Sequence, residues 1–121
     1  MKLQYKFWIE TEDGKSILGE GKWKLLKAIQ ETGSLKEATK IMDLSYRKTW
    51  QNLKNIEKKL GFQIIEKTRG GEKGGHTTLT KKGNEMVTFF DKLYQEMDPA
   101  IKHKYDKLLK DLNHILDKPH H

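Results

Sequence analysis

Residues 34–60, SLKEATKIMDLSYRKTWQNLKNIEKKL, decide how the rest of the chain is read. Ser34 stands before a run in which Leu35, Ala38, Ile41 and Met42 face one side, and Glu37 follows three residues later. A hydroxyl and a carboxylate at that spacing cap a helix start reciprocally. Asp43, Leu44 and Ser45 leave room only for a tight turn, and Ser45 caps a second, longer helix over about 46–60. Tyr46, Trp50, Leu53, Ile56 and Leu60 step by four, three, three and four, which predicts one buried stripe. The opposite face carries Arg47, Lys48, Gln51, Asn52, Lys54, Asn55, Lys58 and Lys59, a set of hydrogen-bond donors almost free of acids. Two helices joined this closely form a helix-turn-helix.

The flanks complete the pattern. Upstream, LQYKFWI (3–9), the turn TEDGK and the return SIL predict a small N-terminal hairpin. Trp23, Leu25, Leu26, Ala28 and Ile29 then predict a first helix over about 22–32, stopped by Gly33. Downstream, Gly61 ends the longer helix, and FQIIEKT and TTLT flank RGGEKGGH (69–76), a hairpin with a glycine-rich basic tip. Thr80 caps a further helix with Met86, Phe89, Phe90, Leu93 and Met97 in its stripe. Asp98–Pro99 reads as the start of a final helix, because proline suits the first helical position and disrupts an interior. Ile101, Leu108 and Ile115, with Tyr105 and Leu112, repeat every seven residues, the spacing of a coiled-coil seam. The fold class expected is mainly α with small β hairpins: a winged helix-turn-helix with an N-terminal hairpin and long C-terminal dimerisation helices. Residues 1–97 form the DNA-binding domain with its linker helix, 98–118 a C-terminal dimerisation helix, and 119–121 a tail whose histidine pair reads as a tag remnant.

Composition narrows the partners. The 121 residues suit one compact domain, and the net charge of +7 points to a polyanion. Residues 40–82 hold eleven basic groups against four acids, whereas the remaining 78 residues hold thirteen of each. The whole excess therefore belongs to the helix-turn-helix and its hairpin; a solvated basic face is the bland alternative. Zero cysteines exclude disulfides, a thiol nucleophile and thiolate-bound metal. No apolar run reaches the roughly 18 residues of a membrane span, and MKLQYKFWIE lacks a signal peptide's apolar stretch, so a cytoplasmic protein without membrane contact is expected.

In such a module the second helix enters the major groove and its first turns meet base edges. Arg47, Lys48 and Gln51 stand where guanine or adenine acceptors lie, with Asn52 and Lys54 beside them, and Ser45 with the free amides of the helix start suits a phosphate. At the hairpin tip Lys67, Arg69, Lys73 and His76 surround Gly70, Gly71 and Gly74, small residues that permit close approach to the backbone or minor groove. The tip lacks the Gly-Lys-Ser/Thr ending of a nucleotide-hydrolase loop. Tyr46 and Trp50 fit core packing better than base stacking, and no histidine pair stands at metal-ligand spacing beside a carboxylate. No cofactor, metal site or catalytic set is expected. A rival reading is a protein-interaction module that uses the winged helix without specific DNA binding.

From about Gly19 to Leu93 the chain resembles the N-terminal DNA-binding domain of ModE-type molybdate-responsive transcription regulators, a winged-helix family related to LysR-type domains. The stretches that carry the likeness are GEGKWKLLKAIQETGSLKEATKIMDLSYRKTWQNL and TRGGEKGGHTTLTKKG. The resemblance implies that Ser34 opens the first helix of the pair, that Ser45, Tyr46, Arg47 and Lys48 open the recognition helix, and that 69–76 form the wing. It also implies a homodimer joined through the long helix after the wing, here within residues 81–116. The type member continues into molybdate-binding domains, so a molybdate response is not carried over.

Overall fold

The computed structural model describes residues 1–68 and 76–117. Its elements are β1 (Trp8–Glu10), β2 (Ser16–Gly19), α1 (Glu20–Thr32), α2 (Leu35–Ile41), α3 (Tyr46–Leu60), β3 (Ile65–Thr68), β4 (His76–Leu79) and α4 (Lys81–Leu116). The architecture is a mainly helical winged helix-turn-helix with two separate antiparallel hairpins, β1–β2 and β3–β4. The described residues divide into two compact units, Lys6–Phe89 and a second made of Met1–Tyr5 with residues 90–117.

Local chemistry sets the helix ends. Gly33 adopts φ 69 and donates its N–H to Ile29 O at 2.8 Å, closing α1 with a left-handed residue that only glycine takes without strain. Gly61 closes α3 in the same way at φ 82. Thr80 opens α4, its Oγ1 accepting the Gly83 N–H at 3.0 Å. The core of residues 6–89 gathers Leu25, Leu26 and Ile29 from α1, Leu35 and Ala38 from α2, and Leu53 and Ile56 from α3. Ile64, Ile65, Leu79 and Val87 join them. Each of the leucine, isoleucine and valine side chains contributes about 1.5–3 kcal/mol by leaving water.

The wing hairpin is fixed by backbone as well as by apolar packing. Ile65 pairs with Leu79 and Thr68 with His76. Thr77 N donates to Gly33 O at 2.9 Å, seating β4 on the end of α1, and Thr80 N donates to Ile64 O at 2.9 Å. Gly83 lets α4 approach that same carbonyl, since a Cβ there would stand 2.3 Å from Ile64 O.

Three sequence expectations are corrected. The first strand begins at Trp8 and not near Leu3, because its partner strand ends opposite Trp8 at Gly19, where α1 takes over. In α2, Ile41 is 68% exposed and Thr39 is buried in its stead. Pro99 starts no new helix: α4 runs through it from Lys81 to Leu116. In the second unit, the Tyr5 hydroxyl donates to the Asp98 carboxylate, and Lys102 lies 3.5 Å from the same group. Met97, Leu108, Ile115 and Leu116 remain exposed along α4. Among the described residues, no helix is long and apolar enough to cross a membrane.

Candidate nucleic-acid interface

The helix-turn-helix is assembled from short-range hydrogen bonds. Ser34 Oγ accepts the Glu37 N–H at 3.1 Å and begins α2. At its end Asp43 takes φ 54, a left-handed turn residue, while Leu44 N donates to Thr39 O at 2.8 Å. Aspartate visits this conformation more readily than most residues because its short polar side chain can hydrogen-bond to nearby backbone. Ser45 then caps α3, its Oγ accepting the Lys48 N–H at 3.3 Å and its carbonyl the Thr49 N–H at 2.9 Å.

The exposed face of α3 presents Arg47, Lys48, Gln51, Asn52, Asn55, Lys58 and Lys59. The first turn holds no acid, although the helix dipole makes that end positive and favours an anion there. Two cations at the positive end of a helix are electrostatically unfavourable until an anion joins them. Arg47 and Lys48 form no side-chain hydrogen bond or ion pair with another described residue.

Both edges of this face are held by other elements. Along one edge, Lys22 of α1 donates to Asn52 Oδ1, and Lys59 donates to Asp13 of the β1–β2 turn at 2.6 Å. That bond, a second from Thr11 and the Lys59 charge hold the Asp13 carboxyl at about 2. Along the other edge, Lys67 of β3 donates to the Tyr46 hydroxyl at 2.6 Å and stands 4.3 Å from the Trp50 ring centroid. Lys54 stands 4.4 Å from the same ring and pairs with Glu57 at 2.9 Å. Cation–π contacts of this kind contribute about 0.5–1 kcal/mol at exposed sites.

The structure therefore brings Ser45, Tyr46, Arg47, Lys48, Gln51, Asn52 and Lys54 onto one helix. Gln51 Nε2 donates to Asn55 Oδ1 at 3.0 Å. Ser34 sits apart from them as the half-buried cap of α2. His76 is the exposed first residue of β4, while Arg69, Gly70, Gly71, Lys73 and Gly74 lie outside the described residues. Tyr46 departs from the expected stripe: it is 39% exposed, and Trp50 is only half-buried. Lys22 and Glu57 were not among the site residues expected, and Lys67, expected beside the hairpin tip, meets Tyr46 and Trp50 of α3. Glu57 had a signal, as one acid inside an otherwise donor-rich helix; Lys22, on a different helix, had none.

The family model of bacterial regulatory helix-turn-helix proteins of the lysR family matches residues 21–84. The molybdenum transport protein ModE of Azotobacter vinelandii is 29% identical over 107 residues, 88% of this chain and 38% of that protein. The transcriptional regulator ModE of Haemophilus influenzae is 32% identical over 78 residues, 64% of this chain and 31% of that protein. The DNA-binding transcriptional dual regulator ModE of Escherichia coli K12 is 28% identical over 92 residues, 76% of this chain and 35% of that protein. The chain spans about a third of the length of these relatives.

Proposed function

The chain belongs to the lysR family of bacterial regulatory helix-turn-helix proteins, and on that premise we propose that it binds specific sequences of double-stranded DNA as a homodimeric transcription regulator. The observation that carries this reading is the start of α3. Arg47 and Lys48 stand exposed in a first turn without acids, next to helix-start amides that favour an anion. A phosphate backbone relieves that arrangement, and base edges lie within reach of the same turn.

In this reading residues 45–60 enter the major groove, and 69–76 rest on the backbone or in the minor groove. Residues 81–116 join two copies. The pair then spans a roughly palindromic site with half-sites about 34 Å apart. The relatives named as transcriptional regulators support the role, and the protein acts in the cytoplasm, where the DNA is.

Selection of bound fragments from genomic DNA, followed by salt titration of the winners, tests the proposal. A preferred sequence should emerge, and Arg47→Ala should lose discrimination at one base position, a cost of about 1–3 kcal/mol. Lys73→Ala should weaken all sequences alike and reduce the salt slope by about one. Affinity no better than the charge-driven background for every duplex would favour a protein-interaction module instead.

A further inference from the structure

Asn52 lies on the edge of the exposed face of α3, and its Oδ1 accepts a hydrogen bond from Nζ of Lys22 on α1. An ammonium only donates, so this contact fixes which end of the amide is which. The oxygen is turned toward α1, and the NH2 group has no hydrogen-bond partner among the described residues. Lys22 is half-buried while Asn52 is exposed, so the lysine is the anchored member of the pair. Burial also pushes the Lys22 ammonium below its ordinary pKa, the direction expected for a desolvated cation.

The chemistry of base edges gives this orientation a consequence. Asparagine reads adenine with both ends, its oxygen accepting from N6 and its NH2 donating to N7. Here the oxygen is engaged, and although a second lone pair remains, a positive charge stands beside it. The N6 amino group of adenine, itself a donor, would approach a cation. Guanine offers O6 and N7 at the same edge, both acceptors, which suit the Asn52 NH2 with the Lys22 ammonium behind it. We propose that Lys22, through its hydrogen bond to Asn52, makes this position of the recognition helix select guanine over adenine. Lys22 is thus a positioning residue for specificity, contributed from outside the helix-turn-helix. The proposal rests on the DNA-binding reading above.

The test has one arm without DNA and one with it. In the free protein, the side-chain NH2 resonances of Asn52 should shift in Lys22→Met, and Lys22→Arg should restore them toward their original positions. With duplexes that vary one base pair at a time, the unsubstituted protein should favour guanine at a single position by about tenfold. Lys22→Met should move that preference toward adenine, Lys22→Arg should keep guanine, and in an Asn52→Ala background Lys22→Met should no longer alter base preference. Lys22→Gln, which can accept as well as donate, serves as the second variant if the methionine form does not fold, and it should likewise shift toward adenine. A preferred site whose base choice ignores both Lys22 variants would overturn this proposal alone, as would an unmoved Asn52 resonance. No preferred sequence for the unsubstituted protein would overturn the DNA-binding function itself, and this proposal with it.

Discussion

The buried carboxylate of Glu57 accepts the backbone N–H of Ile64 at 2.7 Å, so the last turns of α3 hold the entry to the wing hairpin. The same oxygen accepts the Ile65 N–H at 3.1 Å, and the other accepts from Lys54 at 2.9 Å. Burial pushes the Glu57 carboxyl up, but the bonds from Lys54, Ile64 and Ile65 and the Lys54 charge outweigh it and hold the group below its ordinary 4.5. A carboxylate depressed in the folded state adds stability above its unfolded pKa and loses it as pH falls through the folded value. Glu57→Gln should therefore be less stable at pH 7 by about 1–3 kcal/mol, with the gap to the unsubstituted protein narrowing in acid below 4.5. Urea unfolding across that range would read it; a gap independent of pH would show that the charge is not what matters.

Gly83 should not accept a side chain. A Cβ there would stand 2.3 Å from Ile64 O, and that carbonyl is held in place by Thr80 N at 2.9 Å. Backbone must shift to make room, so Gly83→Ala should destabilise by about 1–3 kcal/mol despite alanine's better helix propensity. Thermal unfolding measures this, and a variant as stable as the parent would mean that α4 starts farther from Ile64.

At the turn between α2 and α3, Asp43 has φ 54. Glycine fits that conformation and a β-branched residue does not. Asp43→Gly should change stability by less than about 1 kcal/mol, and Asp43→Val should cost about 1–3 kcal/mol. DNA affinity should fall with the valine variant as well, since the turn sets the direction of α3. Equal stability of the two variants would count against a left-handed turn.

Leu108 is 60% and Ile115 67% exposed, one heptad apart on α4. If two copies join along this helix, Leu108→Glu with Ile115→Glu should halve the mass seen by light scattering at micromolar concentration. The double variant should keep the melting profile of residues 6–89. A monomeric parent protein would rule out this seam as a dimer contact under those conditions.

What was legible in the sequence was chiefly local. The caps Ser34, Ser45 and Thr80 and the stops Gly33 and Gly61 act within one turn, and they placed α3 at residues 46–60 as observed. The basic face of α3 followed from its period. Spacing failed where a helix is too short to define a face, as in α2, where seven residues left Ile41 exposed. It also failed at the first turn of α3, where Tyr46 meets Lys67 at the surface and not the core. Contacts between distant residues, such as Lys22 with Asn52 or Lys59 with Asp13, leave no periodic trace.

Pro99 lies inside α4 and has no N–H, so the carbonyl of Gln95 lacks its intrahelical donor. The ladder of α4 is thus interrupted once, about midway along its 36 residues. Only that one bond is lost, because the bonds on either side of it still span the proline, so the middle of α4 is held less tightly than the turns that flank it. The proline works as a weak joint: opening the turn at residues 95–99 breaks one bond fewer than opening an uninterrupted turn of the same helix.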